Sequence, residues 1–459
     1  MSIARRRPRP DELPRWVRPA VPAGTGATSQ ASASGSSSGS GAQSGAAPTL
    51  PVTLADVRAA AETLRDTALT TPLLTARALG RDVGTEVYYK CENLQRAGSF
   101  KVRGAYVRMA LLTEEEKSRG VVAASAGNHA QGVALAARRL GIHARIVMPR
   151  GVALPKLQAT RDHGAEVVLY GTTVDESLAE AERYAEETGA VFIHPFDNPA
   201  IIAGQGTVGL EILEQLPDVD TVIMAIGGGG LLAGAAIALK ESAREAGREI
   251  QVIGVQASDA AAYVSSLEAG GVQSLQGVST IADGIAVGRP GAVPFEVISS
   301  LVDAVVTVTD DEIAEAIVHL MERSKLVVEP AGVVGAAALL SGRVGALGVD
   351  LGKTAVVLSG GNIDPMLMLK SIQVGLASNG RYMGVRIPLR DRTGELATIS
   401  RLIADAEANV VRVDHTRVGP EFSMGGVHIT IDMETRGHEH SEHVLAALRE
   451  AGYAPEQLY

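Results

Sequence analysis

The sequence predicts an α/β protein with a mostly parallel sheet covered by helices on both faces, followed by a small, separate α+β domain. Three observations predict it. From about residue 54 to 375, short β-branched runs alternate with alanine-rich helical stretches, the signature of strand–helix–strand units. Hydrophobic residues make up 46% of the 459 but aromatics only 3%, so alanine, valine, leucine and the 51 glycines must do the packing and turning. After LASNGR (376–381) the order changes to strand, helix, two strands and a second helix, within roughly 80 residues.

The elements follow in chain order. Residues 23–48 are low-complexity Gly/Ser/Ala that cannot bury enough apolar surface to offset ordering entropy, so residues 1–50 are expected to form a flexible tail. Folded structure is expected near Leu54, where Thr53 caps the helical spacing of LADVRAAAETL. VVAASA, NHAQGVALAARRLG and ARIVMP form one unit, and AEVVLYG, VDESLAEAERYAEETG and AVFIHP another. TVIMAIG, LLAGAAIALKESAREAG and EIQVIGVQA repeat the plan. Residues 51–375 are thus expected to be one functional unit, 376–381 a linker and 382–459 a second domain. In such sheets, ligands sit outside the carboxyl ends of the strands.

Composition excludes several classes. A net charge of −10 argues against general affinity for nucleic acid. The single cysteine, Cys91, excludes an internal disulfide framework and a cysteine zinc site. The arginine-rich N-terminus lacks the apolar run of a signal peptide, so the chain reads as cytoplasmic. Residues 221–239 are uncharged for about a membrane span, but four glycines in the middle fit a buried strand, a loop and a buried helix instead.

Four short stretches could carry chemistry. GSFKVRGA places Lys101 among small and apolar residues, although a lone lysine is usually a solvated charge. GGGGL (227–231), between an apolar strand and an apolar helix, could turn backbone N–H groups and a helix N-terminus onto an anion, or be merely a tight turn. It lacks both the dinucleotide pattern and the nucleotide P-loop ending. SAGNHAQG (125–132) offers Ser125, Asn128 and His129 at a helix start, for a carboxylate or as a simple cap. SGGN (359–362) puts a hydroxyl at a strand's carboxyl end, where an ordinary Ser-Gly turn is the plain alternative.

Taken together with TIADGIAV (280–287) and VVEPAG (327–332), and in this order, these stretches resemble the fold type II pyridoxal-phosphate enzymes, with two mostly parallel-sheet lobes, and within them the threonine dehydratase (threonine ammonia-lyase) family. The resemblance implies pyridoxal 5'-phosphate, held covalently by Lys101 with Phe100 beside its ring. It also implies Asn128 on the ring hydroxyl, Gly227, Gly228, Gly229, Gly230 and Leu231 around the phosphate, and Ser359 at the pyridine nitrogen. Ser125, Asn128 and His129 would grip the substrate carboxylate.

The implied reaction is loss of water from L-threonine, and also from L-serine, giving an enamine that hydrolyses to a 2-oxo acid and ammonia. A serine hydroxyl cannot balance a pyridinium charge, so a neutral ring nitrogen favours early loss of the β-hydroxyl. Ala126 stands where related racemases carry a hydroxyl, which argues against racemisation. Gln256 stands where they use a metal-binding glutamate, so no metal is assigned. HEHSEH (438–443) lacks zinc spacing and reads as a solvated helix start.

Residues 382–459 resemble an ACT domain, a βαββαβ module, on RTGELATISRLI; the last strand is poorly marked, with only APEQLY after the second helix. The resemblance implies a homo-oligomer and an effector, isoleucine or valine, at a site bordered by Asp391, Gly394, Leu396 and Asn409. The alternatives are a serine dehydratase or another hydroxy-amino-acid lyase, such as one for 3-hydroxyaspartate, and, from another class, a catalytically idle amino-acid sensor.

Overall fold

A computed structural model describes residue 9 and residues 12–19, 50–416 and 426–459 of the chain. Three sheets organise it. In the large lobe, the strands run in the order Trp16–Val17, Ala304–Val308, Gln251–Ala257, Thr221–Ala225, Thr354–Val357, Val87–Lys90 and Leu73–Thr75. The five central strands are parallel, and the outermost strand on each side is antiparallel. The small lobe is a parallel sheet of four strands, in the order Glu166–Leu169, Ala144–Met148, Val121–Ala124 and Val191–Phe192.

Burial on both faces explains why the central strands read as unbroken apolar runs. Thr221–Ala225 and Val121–Ala124 are buried at every position. The uncharged stretch 221–239 is that first strand, then a glycine loop and the start of the helix Gly230–Glu245, whose residues from Gly230 to Leu239 are all buried. No helix among the described residues is long and apolar enough to cross a membrane. Thr53 forms a capping box with Asp56: its hydroxyl accepts from the Asp56 N–H, and the Asp56 carboxylate accepts from the Thr53 N–H at 2.8 Å.

The tail drawn over residues 1–50 needs one correction. Trp16 and Val17 pair with Val305 and Ala304 as an edge strand of the large sheet, and the Arg18 guanidinium donates to the Val302 carbonyl at 2.7 Å. A polar stretch rich in proline and arginine hides a two-residue strand, because so short a strand has no alternation to show. The low-complexity run 23–48 lies outside the described residues. The expected linker is also shorter: the helix Pro365–Ser378 runs into it, and the next strand starts at Tyr382.

The C-terminal domain has four antiparallel strands in the order Asn409–Thr416, Gly426–Glu434, Tyr382–Arg390 and Glu456–Gln457. The poorly marked last strand is present as two residues paired with Val385 and Arg386. Two helices, Glu395–Asp405 and His438–Glu450, share a core with the sheet through Ile399, Ile403, Val444 and Leu448 against Val385, Ile387, Ile429 and Ile431. HEHSEH opens the second helix. His440 there accepts from the Arg436 N–H and contacts the Ala406 carbonyl at 2.7 Å, so its ring ties the helix start to the neighbouring helix end.

Candidate active site

A cleft of about 960 Å³ is lined by residues of the two lobes, and most of the singled-out residues meet there. Lys101 opens the helix Lys101–Ala110, with Phe100 at its N-cap and also on the cleft wall. The Lys101 Nζ donates to the Pro195 carbonyl at 3.1 Å. Burial lowers the pKa of this amine to about 8, while the Glu329 carboxylate pulls the other way.

The glycine loop contributes to the same cleft. Residues 227–231 line the cleft at the carboxyl end of Thr221–Ala225. The helix they open, Gly230–Glu245, has Gly229 as its N-cap and no side chain capping its first N–H groups. A Cβ on Gly228 would overlap the Phe196 ring, and one on Gly229 would overlap the Tyr263 hydroxyl. Gly229 also sits at φ +99°, a conformation that a side chain would strain. The loop therefore has no room for side chains. What it can present to the cleft is unpaired backbone N–H, which suits an anion.

Ser359 follows the strand Thr354–Val357 and lines the cleft, 3% exposed. The nearest acceptor for its hydroxyl, the Ala331 carbonyl, is 3.5 Å away, too far to satisfy it well.

Asn128 starts the helix Asn128–Leu140 and is held at both ends of its amide. Its Nδ2 donates to Glu329 Oε1 at 2.6 Å, and its Oδ1 accepts from Asn362 Nδ2 at 2.8 Å. One N–H of the Asn128 amide is left over. Ser125 also reaches the cleft, its hydroxyl accepting from the Gly127 N–H at 3.2 Å. His129 is buried, with its Nε2 2.7 Å from the Ile193 carbonyl, a contact that requires the proton on Nε2. Burial, and then the nearby Lys101, depress its pKa to about 3, so the ring is neutral. Any grip on a carboxylate from this loop comes from N–H dipoles and not from an imidazolium.

Several participants were not singled out in the sequence. Glu329, the Glu of VVEPAG, lies on the cleft wall at 4% exposure. Asn362 and Pro195 supply contacts, and an ion pair between Lys156 and Asp283 lies among the lining residues. The sequence shows Glu329 only as a carboxylate directly before a Pro-Ala-Gly helix start, the pattern of an ordinary helix cap. Behind the site, Arg103, two residues after Lys101, bonds Glu92 at 2.7 and 2.8 Å and Glu211 at 2.6 Å, and Lys90 bonds Glu211 at 2.5 Å.

Gln256 is wholly occupied in structure. Its Oε1 accepts from the Tyr263 N–H at 3.0 Å, and its Nε2 donates to the Ala260 carbonyl at 3.1 Å. No group of three or more His, Cys, Asp or Glu residues placed to hold a metal ion occurs among the described residues.

The expected effector site does not hold together within one chain. Asp391, Gly394 and Leu396 follow the carboxyl end of Tyr382–Arg390. Asn409 shares Glu434 as a neighbour with Tyr382, at the strand's other end, and its amide bonds the Glu434 carboxylate. Eight residues of strand, about 26 Å, separate the two ends. Sequence proximity across the intervening helix misled, because that helix runs back along the sheet.

The pyridoxal-phosphate dependent enzyme family matches residues 64–360, and the ACT domain family matches residues 385–452. The chain is 47% identical over 370 residues to an L-threonine ammonia-lyase of Thermotoga maritima, spanning 81% of this chain and 90% of that one. It is 46% identical over 377 residues to one of Geobacter sulfurreducens, spanning 82% and 92%. Among solved structures, the processed form of threonine deaminase isoform 2 from Solanum lycopersicum matches with a TM-score of 0.66 at 39% identity, covering 70% of this chain and 86% of that one. Maize serine racemase matches with a TM-score of 0.65 at 36% identity, covering 70% and 98%.

Proposed function

Because the chain belongs to the pyridoxal-phosphate dependent enzyme family and carries an ACT domain, we propose that it is an L-threonine ammonia-lyase. It would remove water from L-threonine to yield 2-oxobutanoate and ammonia, and would accept L-serine. One observation carries the reading: a single cleft brings together the Lys101 amine, an uncapped helix start stripped of side chains, and the underused Ser359 hydroxyl.

These residues fit pyridoxal phosphate. Phe196 and Tyr263 pack against the glycine loop too closely for side chains on Gly228 and Gly229, so the loop offers backbone N–H to the cleft that Lys101 also lines. Lys101 would hold the cofactor, the N–H groups of residues 227–231 its phosphate, the spare Asn128 N–H its ring hydroxyl and Ser359 its ring nitrogen, with Phe100 beside the ring. When bound, the group supplies an electron sink that makes the substrate Cα proton removable.

The protein does the rest. An amine with a pKa of about 8 is roughly one-tenth unprotonated at pH 7, some hundreds of times more than a free lysine, so a freed Lys101 can take the Cα proton. First-turn N–H groups of the helix Asn128–Leu140, with Ser125 and the neutral His129 beside them, orient the substrate carboxylate. Ser359 offers a hydroxyl and no negative charge, so it does not favour a protonated ring nitrogen, which suits prompt loss of the β-hydroxyl. Ala126 offers no proton donor at its own position, where related racemases carry a hydroxyl, which disfavours a racemase.

The purified chain, loaded with pyridoxal phosphate, should release 2-oxobutanoate from L-threonine and pyruvate from L-serine. Turnover of serine far above threonine would move the assignment to a serine dehydratase. Inertness toward both, or a colourless protein after loading, would leave an amino-acid sensor. A place in isoleucine synthesis, cytoplasmic residence and a homo-oligomeric state belong to the same proposal. The ACT domain would bind isoleucine or valine through the loop bearing Asp391, Gly394 and Leu396; calorimetry of the full chain showing no heat with either would leave that domain a role in assembly.

A further inference from the structure

We propose that Glu329 is a positioning residue for the elimination: its carboxylate fixes Asn128 in one amide orientation and supplies the negative charge that faces Lys101 in the cleft. The inference deepens the lyase reading and rests on it.

The geometry is specific. Glu329 is the N-cap of the helix Pro330–Leu340, yet its side chain caps nothing there. It turns instead into the cleft, where Oε1 takes the Asn128 N–H at 2.6 Å. Asn362 meets the other end of the same amide at 2.8 Å while also donating to the Ala97 carbonyl at 2.8 Å. An acceptor on one side and a donor on the other leave Asn128 a single orientation, with its spare N–H as the group it can offer a ligand. A Cβ on Gly360 would overlap Glu329 Oε1, so the backbone at that position leaves room for the carboxylate.

The charged surroundings come from three further elements. Lys101 belongs to the helix Lys101–Ala110, Lys156 to the helix Leu154–Asp162, and Asp283 to the short helical turn Asp283–Ile285. Lys156 is paired with Asp283. Glu329 therefore has one neighbouring carboxylate, already neutralised by Lys156, and Lys101 has Glu329 as the carboxylate acting on it. Burial pushes the Glu329 carboxyl up to about 7, with Asp283 adding to the rise and Asn128, Lys156 and Lys101 opposing it. The ionised form raises the Lys101 pKa, and the protonated form releases it. The two groups thus titrate as a pair around neutral pH.

The test uses acetylation of Lys101 by acetic anhydride in the cofactor-free chain, followed by mass spectrometry across pH, in the wild type and in Glu329→Gln. The substituted amide would still accept from Asn128 but would carry no charge. The expected result is acetylation of Lys101 up to about twofold faster in the variant between pH 7 and 8, with the two chains converging below pH 6 and above pH 10. Glu329→Asp, which keeps the charge, should return the profile toward the wild type. In the loaded enzyme, Glu329→Gln should lower kcat for threonine and flatten the acid side of its pH profile, with KM changed less than about threefold.

Identical Lys101 profiles in wild type and Glu329→Gln would overturn the proposal. If the variant does not fold, the wild type alone decides: a single-site Lys101 titration, without a second inflection near pH 7, would overturn it. A normal pairing in a wild-type chain that turns over neither hydroxy-amino acid would sink the lyase reading and leave the pairing standing.

Discussion

The Lys101 Nζ donates to the Pro195 carbonyl at 3.1 Å, so the amine of one helix is anchored to the loop that leaves the small sheet. Its pKa of about 8 lies below that of a free lysine, so the linkage has a definite sign. In the cofactor-free chain, stability should fall as pH drops from about 10.5 to about 8, where the unfolded chain takes up a proton that the folded chain refuses. Below pH 8 the deficit is constant. Lys101→Met should remove it, making the cofactor-free chain more stable by about 1–2 kcal/mol at pH 7 once water in the cleft is allowed for. The same variant should show no borohydride-stable label and no turnover. Urea melts at pH 7 and 11 check the first claim, and peptide mapping checks the second.

Gly229→Ala should damage cofactor binding more than folding. The new methyl would be strained in the left-handed backbone at this position and would overlap the Tyr263 hydroxyl, which donates to the Gly228 carbonyl at 3.1 Å. The loop's N–H groups would be redirected. Titration of the cofactor-free variant with pyridoxal phosphate should show affinity weakened more than about tenfold, the equivalent of roughly 1.4 kcal/mol. Equal affinity would mean that the phosphate sits elsewhere.

Arg103→Met should be strongly destabilising without touching the cleft directly. Arg103 is 1% exposed and holds Glu92, which is fully buried, together with Glu211. Removing the guanidinium strands the Glu92 carboxylate beside only Lys90 and the Thr71 hydroxyl. Breaking a buried pair in this way costs about 3–5 kcal/mol. Arg103→Met combined with Glu92→Gln should recover a large part of that loss in a denaturant melt; additive losses would refute the coupling.

What could be read from the sequence follows from how locally each feature is encoded. The glycine loop, Ser359 and Asn128 each sit in a short stretch whose neighbours announce a turn at a strand end, and the family resemblance added Lys101 to them; all four line one cleft. Glu329 and Asn362 act on Asn128 from more than two hundred residues away in the chain, and nothing local tells a cleft carboxylate from an ordinary helix cap. Trp16–Val17 escaped notice for a similar reason: an edge strand of two residues has no alternation to show. Asn409 was misplaced because a motif read linearly ignores the reversal imposed by the helix Glu395–Asp405.

Glu329 also leaves a mark on stability, opposite in direction to that of Lys101. Its folded pKa, about 7, lies above the 4.5 of a free carboxyl. Its contribution is therefore fully present below pH 4.5 and is lost as pH rises through 7, because the unfolded chain ionises first. The window amounts to roughly 3.5 kcal/mol at most, from about 1.4 kcal/mol per unit. Glu329→Gln, a neutral stand-in that still accepts from Asn128, should show no such decline. The cofactor-free variant should melt above the wild type at pH 8 and match it near pH 5. Parallel curves for the two chains across that range would mean that the carboxyl is already ionised at pH 5, and the burial that defines this corner of the cleft would have to be redrawn.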